Sequence, residues 1–379
     1  MSSEITAITM PKWGLTMTEG KVLGWLKGEG QDFAEGEEIL EIETTKITNV
    51  FEAPVGGTLR RIVAPPGATL PVGALLAVVA GGAVPEAEID AFIAGFAAVE
   101  PSAEADTGAE PVTTREIEAG GGRLRCLDLG QGDGAPVLLV HGFGADLNTW
   151  MFTQPALAEG RRAIALDLPG HGGSSREVGA GNAESFTDAV ESALAALGVA
   201  RVHLVGHSMG GAVAASLALR RPELAASLTL IASAGLGPGI NTAFVDGFVR
   251  MARRREAIEV LGLLVHDPAL LSRTMVEEVL RYKRLDGVAA ALATIAEGWF
   301  AGGRQSLDLI PRLTTLAMPL QLIWGHEDRI IPVSHAEALV SRLPVHILEG
   351  AGHLPHMEKA GDVNRLIRRL IDAADATAH

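Results

Sequence analysis

The fold of the larger part of this chain is decided by the stretch Val202-His203-Leu204-Val205-Gly206-His207-Ser208-Met209-Gly210-Gly211. It is an apolar strand that ends in a sharp turn, and the residues from Ala212 onward favour a helix. The turn matches the pattern G-x-S-x-G, with Gly211 as an additional glycine. Such a turn is strained and leaves no room for side chains beside the serine. The glycines therefore predict that Ser208 projects freely at the start of the helix as a nucleophile.

A second segment supplies hydrogen-bond donors for this nucleophile. Val137–Gly144 is a buried strand that runs into a His-Gly-x-Gly turn. A backbone N–H of this turn, that of Phe143, can stabilise an oxyanion together with the N–H of Met209. The sequence thus predicts an oxyanion hole built from these two backbone groups.

The acid and the base come from the C-terminal part of the chain. The stretch Leu320–Asp328 reads as a strand that ends in an acid, Asp328, and the turn Gly350-Ala351-Gly352-His353 presents a histidine. A serine hydroxyl is a weak nucleophile, so His353 is expected to accept its proton, while Asp328 orients and stabilises the imidazole. The chain order of serine, acid and histidine is similar to that of the α/β-hydrolase fold. The segment 167–174 also resembles a loop of that family, and the resemblance runs from about Val112 to the C-terminus.

Other polar residues near these motifs receive structural roles. His326 and Glu327 adjoin Asp328, but only one of the three can face His353, and the family pattern selects Asp328. His207 and His356 are interpreted as structural neighbours of the motifs. His141 and His171 lie in glycine-rich turns and are interpreted as bracing them through hydrogen bonds. No histidine pair has metal-ligand spacing, so no metal is expected.

The strand pattern is interrupted between about 237 and 313. The segments Phe244–Met251 and Val276–Arg281 read as helices. In the hydrolase family an insertion at this place forms a helical lid, so the resemblance implies a lid whose apolar side lines the acyl site. The alternative is that these helices only cover the core.

The first 80 residues form a different kind of module. Short strand patterns alternate with glycine and proline turns. Lys46 ends the stretch Glu41–Lys46, and Ile47–Phe51 resumes the same alternating pattern, so Lys46 is expected at or beside the tip of a hairpin. The order of elements, including Met10-Pro11 and Gly56-Gly57, resembles the lipoyl (biotinyl-type) domain of 2-oxo acid dehydrogenase complexes. Biotinyl domains flank the lysine with methionines, which are absent here. The resemblance therefore implies lipoate covalently bound at Lys46, although Thr45 replaces the acidic residue of many lipoyl domains.

A linker over 81–114 joins this module to the hydrolase-like domain at 115–375. It is rich in alanine, glutamate, proline and glycine, which is typical of a solvated tether. Fully extended, it would span on the order of 100 Å. Within it, Ile89, Phe92, Ile93 and Phe96 share one face of a short helix that must dock on something. The surface it docks on could belong to its own domains or to a partner subunit.

Composition limits the partners and the compartment. A chain of 379 residues exceeds one ordinary core, and its net charge of −15 argues against binding nucleic acid or an anionic membrane surface. The single cysteine, Cys126, excludes an intramolecular disulfide and suits a reducing compartment. No signal segment or membrane-spanning run is seen, so a cytoplasmic protein is expected.

The two modules in one chain resemble the dihydrolipoyllysine-residue acetyltransferase components of acetoin dehydrogenase complexes. In the variant it resembles, a hydrolase-like domain replaces the usual acyltransferase core, whose His-x-x-x-Asp-Gly motif is absent here. The resemblance implies transfer of acetyl from lipoyl-Lys46 to coenzyme A. It implies as partners a thiamine-diphosphate-dependent acetoin-cleaving component and a lipoamide dehydrogenase, with a homo-oligomer as one further option. Two alternatives stay open: a serine hydrolase of esters or carbon–carbon bonds with the first module as a docking piece, and a carrier whose triad is idle.

Overall fold

A computed structural model describes residues 5–11, 13, 17–44, 48–81, 84–97, 114–119 and 121–377. The chain divides into two compact units, Met1–Val112 with the short segment Ser272–Met275, and Thr113–Leu271 with Val276–His379. Lys46, Thr45 and the linker from 98 to 113 lie outside the described residues.

The first unit consists of two four-stranded antiparallel sheets. One sheet has the order β1 (Thr6–Thr9), β8 (Leu75–Ala80), β6 (Gly57–Ile62) and β3 (Asp32–Phe33). The other has the order β5 (Thr48–Glu52), β4 (Glu38–Glu43), β2 (Glu19–Trp25) and β7 (Thr69–Pro71). Ile8, Ile39 and Leu59 come from both sheets and are fully buried in one core, as expected for strands with one apolar face. The predicted β module is therefore present.

The strands on either side of Lys46 form the arms of a hairpin. β4 and β5 pair antiparallel, and their last paired residues are Glu43 and Thr48. The connection between them is the segment 44–47, which contains Lys46. A rigid two-stranded support thus leads directly into the segment where the sequence places the lipoyl attachment.

The amphipathic helix after β8 packs on its own unit. α1 (Glu86–Ala97) buries Ile89 completely against Val78 and Ala80 of β8, with Phe92, Ile93 and Phe96 half-buried around this contact. Glu86 holds the helix start through Arg61 at 2.8 Å and Arg60 at 2.5 Å. Of the two docking surfaces left open by the sequence, the structure selects the helix's own domain, so the compact unit extends beyond residue 80.

The second unit is built on an eight-stranded sheet in the order β16-β15-β14-β13-β11-β12-β10-β9. The strands are β9 (Arg115–Ala119), β10 (Gly122–Leu129), β11 (Val137–Val140), β12 (Ala163–Leu166), β13 (Val202–His207), β14 (Ala225–Ile231), β15 (Leu320–Gly325) and β16 (Val345–Leu348). β10 pairs antiparallel with both β9 and β12, and the strands from β11 to β16 run parallel to one another. Every residue of β11 and β13 is buried, because helices cover a parallel sheet.

Helices between the strands cover this sheet. They are α2 (Gln154–Leu157), α3 (Ala183–Ala196), α4 (Met209–Arg220), α10 (Ser334–Glu337), α11 (Pro355–Glu358) and α12 (Ala360–Ala376). In α12 the apolar stripe Val363, Ile367, Ile371 and Ala374 is buried, in agreement with helical spacing. The helix that follows the nucleophile turn, α4, packs against β13 and β14.

The predicted insertion between β14 and β15 is helical. It contains α5 (Thr242–Arg250), α6 (Arg254–Leu261), α7 (Arg273–Lys283), α8 (Val288–Phe300) and α9 (Ile310–Leu313). The two segments predicted as helices from the sequence fall in α5 and α7, so both predictions are confirmed. No helix in the described part of the chain is both long enough and apolar enough to cross a membrane.

Candidate active site

Ser208 occupies a strained turn between β13 and α4. Its backbone has φ 54° and ψ −121°, a left-handed conformation that is rare for a residue with a side chain. A Cβ atom on Gly206 would lie 2.4 Å from the carbonyl oxygen of Gly210, and one on Gly211 would lie 2.5 Å from Oγ of Ser233. The glycines of the motif are therefore required by space, as the sequence predicts. Ser208 itself is only 7% exposed, so its hydroxyl lies in a sheltered site.

The predicted acid and base are in contact. Nδ1 of His353 lies 2.8 Å from Oδ2 of Asp328, and the side chains are 3% and 0% exposed. A carboxylate can only accept, so Nδ1 carries the proton and Nε2 is left with a free lone pair. The other carboxylate oxygen, Oδ1, accepts the backbone N–H groups of Ile330 at 2.8 Å and Ile331 at 3.0 Å. These bonds fix the carboxylate in the plane that orients the imidazole.

The backbone brings the histidine turn to the nucleophile turn. His207, which directly precedes Ser208, donates its Nε2–H to the carbonyl oxygen of His353 at 2.8 Å. The two imidazole rings are 4.7 Å apart. The structure thus joins turns that are 146 residues apart in the chain.

The His-Gly-x-Gly turn also packs against the nucleophile. A Cβ atom on Gly142 would lie 2.9 Å from Cβ of Ser208, and one on Gly210 would lie 2.3 Å from the carbonyl oxygen of His141. The backbone of the turn that contains Phe143 therefore lies directly beside the segment that contains Met209. The oxyanion hole from the N–H groups of Phe143 and Met209 stays a prediction.

Two buried histidines brace this turn. The N–H of Gly144 donates to Nε2 of His171 at 3.0 Å, and Nδ1 of His171 donates to the carbonyl of Pro169 at 3.0 Å. His141 receives the N–H of Leu168 at 3.0 Å and donates to its neighbouring carbonyl. Burial lowers the pKa of His171 to about 3, so the ring stays neutral and keeps this tautomer. The bracing role predicted for these histidines is confirmed.

The other candidate acids point elsewhere. Oε2 of Glu327 accepts the N–H of Ala351 at 3.0 Å. Nδ1 of His326 lies 3.5 Å from carboxylate oxygens of both Glu327 and Glu349. Among the described residues, His326, Glu327 and Glu349 place atoms that could bind a metal ion within 4.8 Å of one another. Sequence spacing did not indicate this group, since Glu349 lies at the end of a different strand. His326 and Glu349 are exposed.

His356 packs against His207 and forms no hydrogen bond with the Asp328–His353 pair. Its ring is 4.5 Å from that of His207, and its Nε2 lies 3.0 Å from Oγ1 of Thr149. Burial lowers the pKa of His356 to about 3 and that of His207 well below 6.5. Both rings are neutral packing groups in the interior, as expected for structural neighbours.

Glu358 was not identified from the sequence, yet it holds the histidine turn in place. Oε1 accepts the N–H of Gly352 at 2.9 Å, and Oε2 accepts the N–H of His266 at 2.6 Å. The N–H of His353 itself donates to the carbonyl of Leu264 at 2.8 Å. The loop between α6 and α7 is thereby connected to the base. Burial raises the pKa of the Glu358 carboxyl. The only sequence signal was its position five residues after His353.

The lid supplies aromatic side chains to this site. The ring of Phe143 lies 5.5 Å from that of Phe248 in α5 and 6.1 Å from that of Phe300 at the end of α8. A Cβ atom on Gly144 would lie 2.4 Å from the Phe248 ring. The apolar side of the lid therefore contacts the turn beside the nucleophile, although other lid residues, such as Leu292, pack in the core.

Comparisons with known proteins agree with both units. Residues 135–360 match a family model described as the alpha/beta hydrolase fold, and residues 6–79 match one described as Biotin-requiring enzyme. The second unit is also similar to a meta-cleavage product hydrolase from Pseudomonas fluorescens IP01. That similarity has a TM-score of 0.63 and 24% identity, and covers 69% of this chain and 98% of the other. The chain is thus an α/β-hydrolase-fold protein with a biotinyl/lipoyl-type domain.

Two relatives share this arrangement along their whole length. The dihydrolipoyllysine-residue acetyltransferase component of the acetoin cleaving system of Pseudomonas putida is 47% identical, over 96% of this chain and 97% of that protein. The component of the same name from Cupriavidus necator is 42% identical, over 97% of this chain and 98% of that protein. The chain belongs to this family of acetyltransferase components.

Proposed function

We propose that this chain transfers an acetyl group from a lipoyl arm on Lys46 to coenzyme A within an acetoin cleaving system. The observation that carries the proposal is the hydrogen bond between His353 and Asp328 beside the strained turn of Ser208, in a chain with a lipoyl-type domain. Whole-chain similarity to acetyltransferase components supports the same function. The partners would be a thiamine-diphosphate-dependent acetoin-cleaving component and a lipoamide dehydrogenase.

The first unit fits a covalent lipoyl attachment, because its hairpin arms β4 and β5 are held rigidly by the sheet and meet at the segment that contains Lys46. Lipoate, when bound, supplies a thiol that carries an acyl group as a thioester. The described linker boundaries at 97 and 114 leave a proline- and glutamate-containing segment between the units. We propose that this segment is the tether that lets one attachment point serve several sites.

The residues of the second unit would perform two acyl transfers. Oγ of Ser208 attacks the thioester carbonyl while Nε2 of His353 takes its proton, and the N–H groups of Phe143 and Met209 stabilise the oxyanion. The carbon–sulfur bond breaks, and His353 returns the proton to the departing thiolate. In the second half, the thiol of coenzyme A attacks the acetyl-serine ester, and His353 passes that proton to the departing Ser208 oxygen. Asp328 stabilises the imidazolium each time.

A transferase on this fold must keep water away from the acetyl-serine ester. Ser208 is 7% exposed, and the aromatic rings of Phe143, Phe248 and Phe300 enclose the neighbouring turn. These contacts are consistent with the sheltered site that such a transferase requires.

The test is Ser208→Ala in the lipoylated chain, with Ser216→Ala on the same helix as the matched control. We expect Ser208→Ala to abolish acetyl-CoA formation, while Ser216→Ala retains it. Intact mass must show that each variant carries lipoate, and a Lys46→Arg variant should lose that mass. Retained transfer by Ser208→Ala would refute the serine mechanism. Rapid acetate release that coenzyme A does not divert would instead indicate a hydrolase.

A further inference from the structure

The lid carries a basic surface in a chain that is otherwise acidic. Within residues 250–255 there are four arginines and no acidic residue, while the whole chain has a net charge of −15. Arg250 ends α5, Arg253 directly precedes α6, and Arg254 and Arg255 begin α6. All four are exposed. A local positive surface on an acidic protein attracts polyanions that the rest of the molecule repels.

The end of α7 adds further positive charge to the same place. Nζ of Lys283 donates to the carbonyl oxygens of Phe248 and Val249, the latter at 3.1 Å. This contact places the end of α7, followed by Arg284, against the end of α5. We call the combined surface the arginine patch and define it as Arg250, Arg253, Arg254, Arg255, Lys283 and Arg284.

Part of the patch has no acidic partner among the described residues. Arg250, Arg253, Arg254 and Arg284 form no ion pair with any residue that the structure describes. The carboxylate of Glu256 accepts the backbone N–H groups of Ala252 and Arg253, and its charge also attracts those of Arg253 and Lys283. Arg255 pairs with Glu259 at 3.2 Å, but its side chain is 91% exposed, so solvent screens this pair.

The patch begins next to the acyl site. Phe248 contacts Phe143 of the oxyanion turn and lies two residues before Arg250. From Phe248 to Arg255 the chain could span at most about 25 Å, even if fully extended. A ligand whose anionic end rests on the patch can therefore extend a flexible arm towards Ser208.

We propose that the arginine patch binds the diphosphate and 3′-phosphate of coenzyme A and so selects it as the acyl acceptor. The inference rests on the proposed function and assigns the acceptor's recognition to this surface. Guanidinium groups bind phosphate oxygens in a bidentate manner, and several unpaired arginines suit a ligand with more than one phosphate group. The pantetheine arm then leads the thiol past Phe248 to the acetyl-serine ester.

The test compares two acceptors in the lipoylated full-length chain, with S-acetyldihydrolipoamide as the acetyl donor. Pantetheine has the same thiol arm as coenzyme A but lacks the diphosphate and the 3′-phosphate. For Arg253→Ser/Arg254→Ser we expect kcat/KM with coenzyme A to fall at least tenfold, while kcat/KM with pantetheine stays unchanged. Arg253 caps the start of α6, and serine is a favoured residue at that position, so the helix should be retained.

The matched control is Arg342→Ser/Arg369→Ser, which removes the same charge from exposed positions elsewhere. This control variant should keep the wild-type kcat/KM with both coenzyme A and pantetheine. The proposal is overturned if kcat/KM of the patch variant with coenzyme A equals that of the wild type. It is also overturned if kcat/KM falls equally with coenzyme A and with pantetheine, or if the wild-type chain has the same kcat/KM with both acceptors. If the wild-type chain acylates no thiol at all, the proposed function fails as well. These outcomes separate the two hypotheses.

Discussion

Asp328→Asn tests the arrangement of the acid and the base most sharply. Oδ1 of Asp328 is held by the N–H groups of Ile330 and Ile331, while Oδ2 accepts from Nδ1 of His353. An asparagine at 328 must keep its carbonyl oxygen towards these two donors, since its amide nitrogen cannot accept a hydrogen bond. The NH2 group is then directed at His353.

This orientation imposes the wrong tautomer on the base. Nδ1 of His353 must become the acceptor, so its proton moves to Nε2, where the base needs a free lone pair. In serine hydrolases this exchange lowers kcat about 10⁴-fold, which corresponds to about 5.4 kcal/mol of transition-state stabilisation. We expect the same loss in kcat for acetyl transfer at pH 7, with KM changed by less than about threefold because the ground-state binding groups are untouched.

The assay is steady-state formation of acetyl-CoA, with acetylation of Ser208 followed by mass spectrometry. Glu327→Gln is the control, since the glutamine oxygen can still accept the N–H of Ala351. That variant should stay within about threefold of the wild-type kcat. A kcat for Asp328→Asn within tenfold of the wild type would refute the proposed role of Asp328. So would an equal loss in Glu327→Gln.

Three further predictions concern the surroundings of the site and the first unit. Glu358→Ala should lower kcat and destabilise the second unit by about 2–4 kcal/mol, because two backbone N–H groups lose a charged acceptor. Denaturant unfolding measures the stability, and a kinetic assay measures kcat. Glu358→Gln should restore part of both, since the glutamine oxygen can still accept a hydrogen bond. His171 and His356 have pKa values of about 3 in the folded chain and 6.5 as ordinary histidines, so the unfolded chain binds more protons between these values. The free energy of unfolding should therefore decrease as the pH falls from 6.5 towards 3. His356→Gln should lower the slope of this free energy against pH by the equivalent of at most one proton. An unchanged slope would contradict the low pKa of His356. Ile89→Ala should destabilise the first unit by about 2–5 kcal/mol, because the Ile89 side chain is fully buried against β8. Ala94→Ser, on the exposed face of the same helix, should leave the stability unchanged. Hydrogen exchange of the first unit measures both effects.

Much of the candidate site could be predicted, because its residues belong to short motifs of neighbouring residues. The glycines around Ser208 follow from the space that the turn leaves, and the structure gives that reason atom by atom. The choice of Asp328 over Glu327 relied on resemblance, and the hydrogen bond to His353 supplies the physical reason. Glu358 was missed, because its role depends on meeting His266, which lies 92 residues away in the chain.

The helix of Ile89 shows the limit of sequence patterns in another way. Its apolar spacing correctly predicted a helix with one buried face, but spacing carries no information about which surface covers that face. Only the packing of Ile89 on Val78 and Ala80 selected its own domain. The arginines at 250–255 are similar: their charge is visible in the sequence, and their position beside Phe248 and Lys283 is not.

The sequence by itself indicated the two-domain plan, the strained turn of Ser208, the candidate triad and the helical nature of the lid, because each depends on neighbouring residues. The tertiary structure alone decided how the turn of Ser208 meets that of His353, how Glu358 ties the lid loop to the base, and where the arginine patch lies. These are contacts between residues far apart in the chain. They arise when strands and helices pack, so no local pattern encodes them separately.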